Sequence, residues 1–106
     1  MSDWLKTKVT KYTSSGTTTA GVWPAHESGD LLMAVYLAEV NSASFSDGVL
    51  TSICTGTASG GGSANTIAAY YKVAASSSET NPSATNISVA NRACIAMVIK
   101  NAHATP

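Results

Sequence analysis

Charged side chains are scarce in this sequence of 106 residues. Six Lys and Arg and six Asp and Glu make up 11% of the chain, and they leave a formal net charge of zero. Such a chain has no basic surface to neutralise nucleic-acid phosphates or anionic lipid headgroups. The composition therefore predicts neither a nucleic acid nor a membrane as partner. Soluble monomers usually carry more surface charge, so the composition favours a component of an assembly.

Long apolar runs are also missing. No stretch approaches the roughly 18 continuous apolar residues of a membrane span, and the segment Met1–Lys6 lacks the apolar region of a signal peptide. We therefore expect synthesis in a cytoplasm, without export by a signal peptide. The chain length predicts a single domain with a core of its own.

Cysteine is limited to Cys54 and Cys94, and neither belongs to a C-x-x-C pair. This spacing suggests neither a zinc knuckle nor a redox motif. We expect both to be buried, reduced thiols, because free cysteine packs as a small hydrophobic residue. The alternative is that the two lie close enough for later oxidation to join them.

Recognisable catalytic motifs are lacking as well. No serine lies in a G-x-S-x-G elbow, and the Gly60–Ser63 run has no lysine that would make it a phosphate loop. One group of residues could in principle bind a metal ion, but it does not follow the H-E-x-x-H pattern, and Pro24 opposes a helix there. Its members are His26, Glu27, Asp30 and His103. We predict no catalytic residue, no cofactor and no metal, and a small enzyme is the least favoured class.

What the sequence does contain is short β-prone runs separated by turn residues. The longest apolar run, within Ala90–Asn101, has about eight apolar residues and is flanked by polar residues at both ends. This length favours a central strand over a helix. Thr13–Ala20 fits either a loop or an extended segment, and glycine-rich Ala58–Ala64 predicts a mobile loop or a turn close to another backbone. The other predicted strands are Trp4–Tyr12, Leu31–Val40, Val49–Thr57, Asn65–Ala75 and Ala84–Ala90.

This pattern predicts an all-β fold, an antiparallel β-sandwich of jelly-roll or Ig-like type. The fold would be one domain, with residues 1–26 as an N-terminal strand or arm and loop, and residues 27–106 as the sandwich body. The lysines of the first strand favour a sheet edge.

Two predicted strands are apolar on both faces: Leu31–Val40 and the final strand. A sandwich strand normally turns one face to the core and one to water. We therefore expect a homo-oligomer, a trimer on a symmetric surface, although cover by the N-terminal arm is an alternative. The candidate interface residues are Trp4, Trp23, Tyr36 and Val98.

The aromatic residues permit a second interpretation. Exposed on one face, they would form a platform for stacking sugars, whereas core or interface anchors are the more common use of such side chains. The residues concerned are Trp4, Trp23, Tyr36, Tyr70 and Tyr71.

Two motifs carry a resemblance to a known class of proteins. Glu27-Ser28-Gly29-Asp30-Leu31-Leu32-Met33-Ala34-Val35 is followed, after a glycine-rich middle, by Ala69-Tyr70-Tyr71-Lys72-Val73-Ala74, with Glu79 close behind. This progression, ending in an apolar strand, resembles small β-sandwich modules encoded by tailed bacteriophages. Where those modules often place a Gly-Trp turn, this chain has Ser46-Asp47-Gly48.

The resemblance implies a structural protein of the virion, in head decoration or in tail or fibre attachment, and we expect a decoration or cement protein that coats or stabilises the head. Its expected partners are other copies of the chain and the major capsid protein or another virion protein, and its expected location is the virion. A carbohydrate-binding receptor module associated with the tail or fibre is the alternative.

Overall fold

The computed structural model describes residues 4–39, 45–60 and 63–100, and His103 lies outside these ranges. Seven strands occur in this part of the chain, and no helix. They are β1 (Leu5–Tyr12), β2 (Gly16–Ala20), β3 (Leu31–Ala38), β4 (Thr51–Gly60), β5 (Ser63–Val73), β6 (Ser83–Val89) and β7 (Arg92–Ile99).

The strands form two antiparallel sheets, one of five strands in the order β1-β7-β3-β5-β4 and one of two, β2 and β6. The prediction of an all-β antiparallel sandwich is confirmed, with the described strands divided five and two. The final apolar run is an interior strand, as expected, because β7 lies between β1 and β3. No helix in the described ranges has the length and apolarity needed to span a membrane.

The core lies between the large sheet and a covering layer made by β2, β6 and the loops. Alternate residues of β3 and β7 are buried on this side, which we call the inner face. Alanine is frequent here, and Gly21 approaches Cys94 closely, so the covering layer packs tightly on the sheet. The core residues are Trp23, Leu32, Ala34, Tyr36, Ala38, Phe45, Ala68, Tyr70, Ala74, Ala84, Val89, Cys94, Ala96 and Val98.

The N-terminal segment belongs to both sheets. β1 pairs with β7 along its whole length, from Leu5 opposite Ile99 to Tyr12 opposite Arg92, and β2 pairs with β6. The predicted edge position of the first strand is confirmed. Residues 1–26 therefore supply, in their described part, two strands of the sandwich and not a separate arm.

In the region Ala58–Ala64 the described residues belong to paired strands and not to a mobile loop, because β4 and β5 pair as far as Gly60 and Ser63. The alternative prediction, a turn close to another backbone, falls on Gly61 and Gly62, which lie outside the described residues. Among the described glycines, positive φ occurs at Gly29, with φ 95°. Gly29 lies in the turn that leads into β3.

Candidate functional site

The feature that stands out is the side of the five-stranded sheet opposite the core, which we call the outer face. Because directly paired residues project to the same side of a sheet, the strand register arranges the outer face in four rows that cross the strands. The rows are Leu5-Ile99-Leu31-Val73, Thr7-Met97-Met33-Tyr71-Thr51, Val9-Ile95-Val35-Ala69-Cys54 and Lys11-Ala93-Leu37-Ile67-Gly56.

The outer face is apolar across its three central strands, β7, β3 and β5. No charged side chain occurs at its positions there, and the residues are partly or largely exposed, except for buried Ala69. Among the large hydrophobic residues of these strands, the largest exposures are at Val73, Ile67 and Tyr71. No described element of the chain covers this side.

The outer face also carries the bulkier side chains. β3 turns Leu31, Met33, Val35 and Leu37 outward, whereas two of its four inner residues are alanines. β7 is divided in a similar way: isoleucine and methionine face outward, whereas its inner residues after Arg92 are the smaller Cys94, Ala96 and Val98. A sandwich strand normally buries its larger side chains, so this distribution is unusual for a free monomer.

The sequence identified the two strands with two apolar faces, and its candidate interface residues lie mainly inside the chain. Tyr36 and Val98 have no exposed surface, and Trp23, from the loop after β2, is 5% exposed. Only Trp4 of the four candidates is exposed, at the start of β1. The sequence signal for the side that the chain leaves open is the greater bulk of the alternate residues beginning at Leu31.

The predicted aromatic platform is not assembled. Tyr36, Tyr70 and Trp23 are core residues, and the rings of Tyr36 and Tyr70 meet edge to face at 5.8 Å. Phe45 stacks on Tyr36 at 5.6 Å, a partner that the sequence did not identify. The hydroxyl of Tyr36 donates to Asp47 Oδ2 at 2.6 Å.

Asp47 is a structural acceptor. Its Oδ1 accepts from the backbone N–H groups of Val49 and Leu50, so one carboxylate joins the segment before β4 to the phenol of β3. Burial first, and then the bonded carboxylate, raise the pKa of Tyr36 well above its usual range. The phenol therefore stays protonated and acts as a donor in the core.

The side chains of the candidate metal-binding turn are hydrogen-bonded to other groups of the chain. Asp30 is almost fully buried, and its Oδ2 accepts from Lys100 Nζ at 2.7 Å and from the backbone N–H of Glu27 at 2.9 Å. The amide of Glu79 donates to His26 Nε2, which leaves Nδ1 as the donor to the Pro24 carbonyl. Among the described residues, no three His, Cys, Asp or Glu side chains form a group that could bind a metal ion.

A second ion pair joins the end of β5 to the loop that follows it. Lys72 Nζ lies 2.6 Å from Glu79 Oε1, and Glu79 Oε2 accepts from the backbone N–H of Ala75. These hydrogen bonds hold the pKa of Glu79 below its usual range. The arrangement fixes the direction in which the chain leaves the large sheet.

Arg92 is the most extensively bonded charged residue that the structure describes. Its guanidinium is buried and donates to the carbonyl oxygens of Ser14, Thr18 and Val89 and to the hydroxyl of Thr19. It also lies over the ring of Tyr12, with Cζ 4.5 Å from the ring centroid. Arg92 therefore joins the two sheets at one end, and its guanidinium donates its hydrogen bonds to groups within the fold.

The two cysteines differ in environment. Cys94 is buried in the core, as expected, and burial raises its pKa to about 12. Cys54 is exposed, contrary to the prediction. It lies on β4, three strand spacings from β7 in the sheet order, or about 14 Å. A disulfide within one chain is therefore excluded in this fold, because it requires Cα atoms closer than about 7 Å.

A cavity of about 400 Å³ opens at the end of the large sheet, beside the β6–β7 turn. Leu37 and Ala93 contribute to its floor, and Lys11, Glu39 and Asn91 are among its polar lining. Asn91 Nδ2 donates to Glu39 Oε2 at 3.2 Å, so these two groups are bonded to each other.

Comparison with known proteins gives no family assignment, since no family model, no curated protein and no solved structure matches the chain.

Proposed function

We propose that the chain is a structural subunit of a bacteriophage virion, a decoration or cement protein that coats or stabilises the head. The observation that carries the structural part of this proposal is the outer face. Its central strands form a neutral apolar surface of the kind that soluble proteins cover with another protein.

The distribution of side chains supports a role in an assembly. The inner core is complete without the outer face, because Leu32, Tyr36 and Val98 are fully buried by the covering layer. The bulkier row residues are thus not required to close the monomer core. Their burial by a partner would remove them from water and stabilise the assembled form.

The virion part of the proposal is supported by the sequence resemblance. Its two motifs are neighbours in the fold: Leu31 pairs with Val73, and the Gly29-Asp30 turn bonds to Ala74 through the contacts Gly29 N–H to Ala74 O and Ala74 N–H to Asp30 O, each 2.8 Å. The motifs therefore build one continuous β3–β5 unit, which supplies two of the three central strands of the outer face.

Carbohydrate binding, the alternative, has less support. It depends on exposed aromatic residues, and Trp23, Tyr36 and Tyr70 are in the core. Tyr71 is exposed, but it lies among aliphatic residues of the outer face.

The experiment that tests the proposal uses purified protein and phage particles that lack it. We expect the protein to cosediment with the particles until the sites are saturated, and electron microscopy to show added density on the head. Absence of saturable binding and of added density would contradict the proposal. Binding that fluorescent-labelled host polysaccharide displaces would instead support the carbohydrate-binding alternative.

A further inference from the structure

We propose that the outer face is the contact between two copies of this chain, packed face to face about a twofold axis. This inference rests on the proposed role in an assembly and names the occupant of the outer face. The trimer expected from the sequence requires a threefold arrangement, whereas one continuous face on each copy is sufficient for a twofold pair.

The edges of the large sheet are less suited to association than its face. β1 carries Lys6, Lys8 and Lys11, and β4 has a register shift between Ser52 and Cys54. Lysines and bulges on edge strands are devices that discourage strand pairing between molecules. The central outer face has no comparable protection.

The charge of the outer face favours a second copy. A twofold contact places a surface against itself, so any charge near the axis would meet a like charge. On β7, β3 and β5 every outer-face side chain is uncharged. The charged residue in the rows is Lys11, at the corner of β1.

The distribution of volume also fits self-association. A twofold axis parallel to the strands places β3 opposite β3 and β1 opposite β4 of the second copy. The outer positions of β1 include Leu5 and Val9, whereas those of β4 are the smaller Thr51, Cys54 and Gly56. The larger side chains of β1 in each copy would then face the smaller side chains of β4 in the other copy.

The area is that of a stable dimer. Five strands about 4.8 Å apart, crossed by four rows about 6.8 Å apart, make on the order of 600 Å² of flat sheet. Two copies would bury roughly 1,200 Å² in total, which is the lower end of the range for specific interfaces. This area treats each sheet as flat, and the uneven surface made by the side chains would add to it. Apolar sheets pack at about 10 Å, a separation that these side chains can fill.

Two matched isoleucines provide the test. Ile67 is on the outer face and is 41% exposed, whereas Ile87 is on β6 and is 47% exposed. Lysine at either position should leave the monomer folded, because both side chains already reach solvent. Only Ile67→Lys would bring two ammonium groups into the proposed contact.

Sedimentation velocity of the full chain over a wide concentration range measures the association. We expect the wild type and Ile87→Lys to form a species of twice the chain mass, and Ile67→Lys to weaken dimerisation by at least about 100-fold. Circular dichroism and the thermal unfolding midpoint of dilute protein report the fold of each variant. Tyr71→Lys is the second outer-face variant if Ile67→Lys does not fold.

Three results would overturn the inference: a wild type that is monomeric throughout, a threefold species, or an equal effect of the two isoleucine substitutions. These results are distinguishable from failure of the virion role. A monomer that still saturates sites on phage particles would refute the dimer and leave the proposed function standing. A dimer that does not bind particles would refute the proposed function and leave the dimer standing.

Discussion

At the scale of single residues, Gly21 shows how closely the covering layer approaches the large sheet. A Cβ atom at this position would lie 2.6 Å from Cys94 Sγ, a sulfur in the fully buried core. We expect Gly21→Ala to lower the free energy of unfolding by about 1–3 kcal/mol, because an overpacked core must shift to relieve the contact.

Gly48→Ala is the matched control, since a Cβ there meets no atom within 4 Å. Urea unfolding of both variants measures the difference. Equal stabilities of the two variants would show that the two layers are not in close contact at Gly21.

Arg92 carries the second prediction at this scale. Lysine keeps the positive charge but lacks the planar fork of donors that reaches Ser14, Thr18 and Val89 at once. Several buried acceptors would lose their partner, so we expect Arg92→Lys to cost about 2–4 kcal/mol in chemical denaturation. An unchanged denaturation midpoint would mean that water or another side chain satisfies those carbonyl groups.

The sequence does not reveal the role of Arg92. It appears there as a polar residue at the start of an apolar run, and we read it as the strand boundary. Its partners are mainly backbone carbonyl groups, some more than 70 positions away. Every residue has such a group, so no pattern in the sequence indicates which ones meet in the fold.

At the scale of elements, the strands with regular alternation or clear turn signals could be predicted. β3, β5, β6 and β7 begin and end within about three residues of their predicted limits. β2 remained uncertain because the Thr and Ser residues of Thr13–Ala20 suit both a loop and a strand. The sequence did not predict strands in the glycine-rich part of the β4–β5 hairpin. Glycine has a weak preference for strands, and pairing between β4 and β5 determines the structure there.

The separation of β4 from β7 leads to a prediction for the thiols. In dilute, monomeric protein, an alkylating reagent should modify the exposed Cys54 in the Cys94→Ser variant but should leave Cys94 unmodified in the Cys54→Ser variant. Burial of Cys94 and its raised pKa both suppress the reactive thiolate. Denaturant should release the second thiol. Rapid native labelling of Cys94, or a disulfide within one chain, would contradict the strand order.

The loop after β5 leads to a prediction about pH. The pKa of Glu79 is lowered in the fold, so its contribution is present above the unfolded value of about 4.3 and is lost as pH falls through the folded value. Glu79→Gln should therefore destabilise the protein at neutral pH, and the difference from wild type should shrink below about pH 4.

Urea midpoints of wild type and Glu79→Gln at neutral and acidic pH make this comparison. A difference that stays constant across that range would show that the Lys72 contact does not depend on the ionised carboxylate.

At the scale of the whole molecule, the sandwich has one closed core and one open apolar face. Sequence alternation predicted that two strands have two apolar faces, but it could not tell which face the covering layer occupies. That choice depends on the close approach of β2, β6 and Gly21, which favours the alanine-rich side. The aliphatic residues Leu31, Met33 and Met97 are consequently left outside.

The central claim is that another protein chain covers this outer face. Met33 and Met97 are paired in one row near its middle, and both side chains are partly exposed in the single chain. Their methyl groups are separate NMR probes, and a soluble paramagnetic agent accelerates the relaxation of any methyl that it can approach.

The measurement is the relaxation enhancement of these two methyl groups as the protein concentration is raised. The account predicts strong enhancement in dilute protein and a marked loss of enhancement at both methyls once the protein associates, whereas Ile67→Lys keeps both methyls accessible. Methyl groups of wild-type protein that stay fully accessible at every concentration and on phage particles would contradict it.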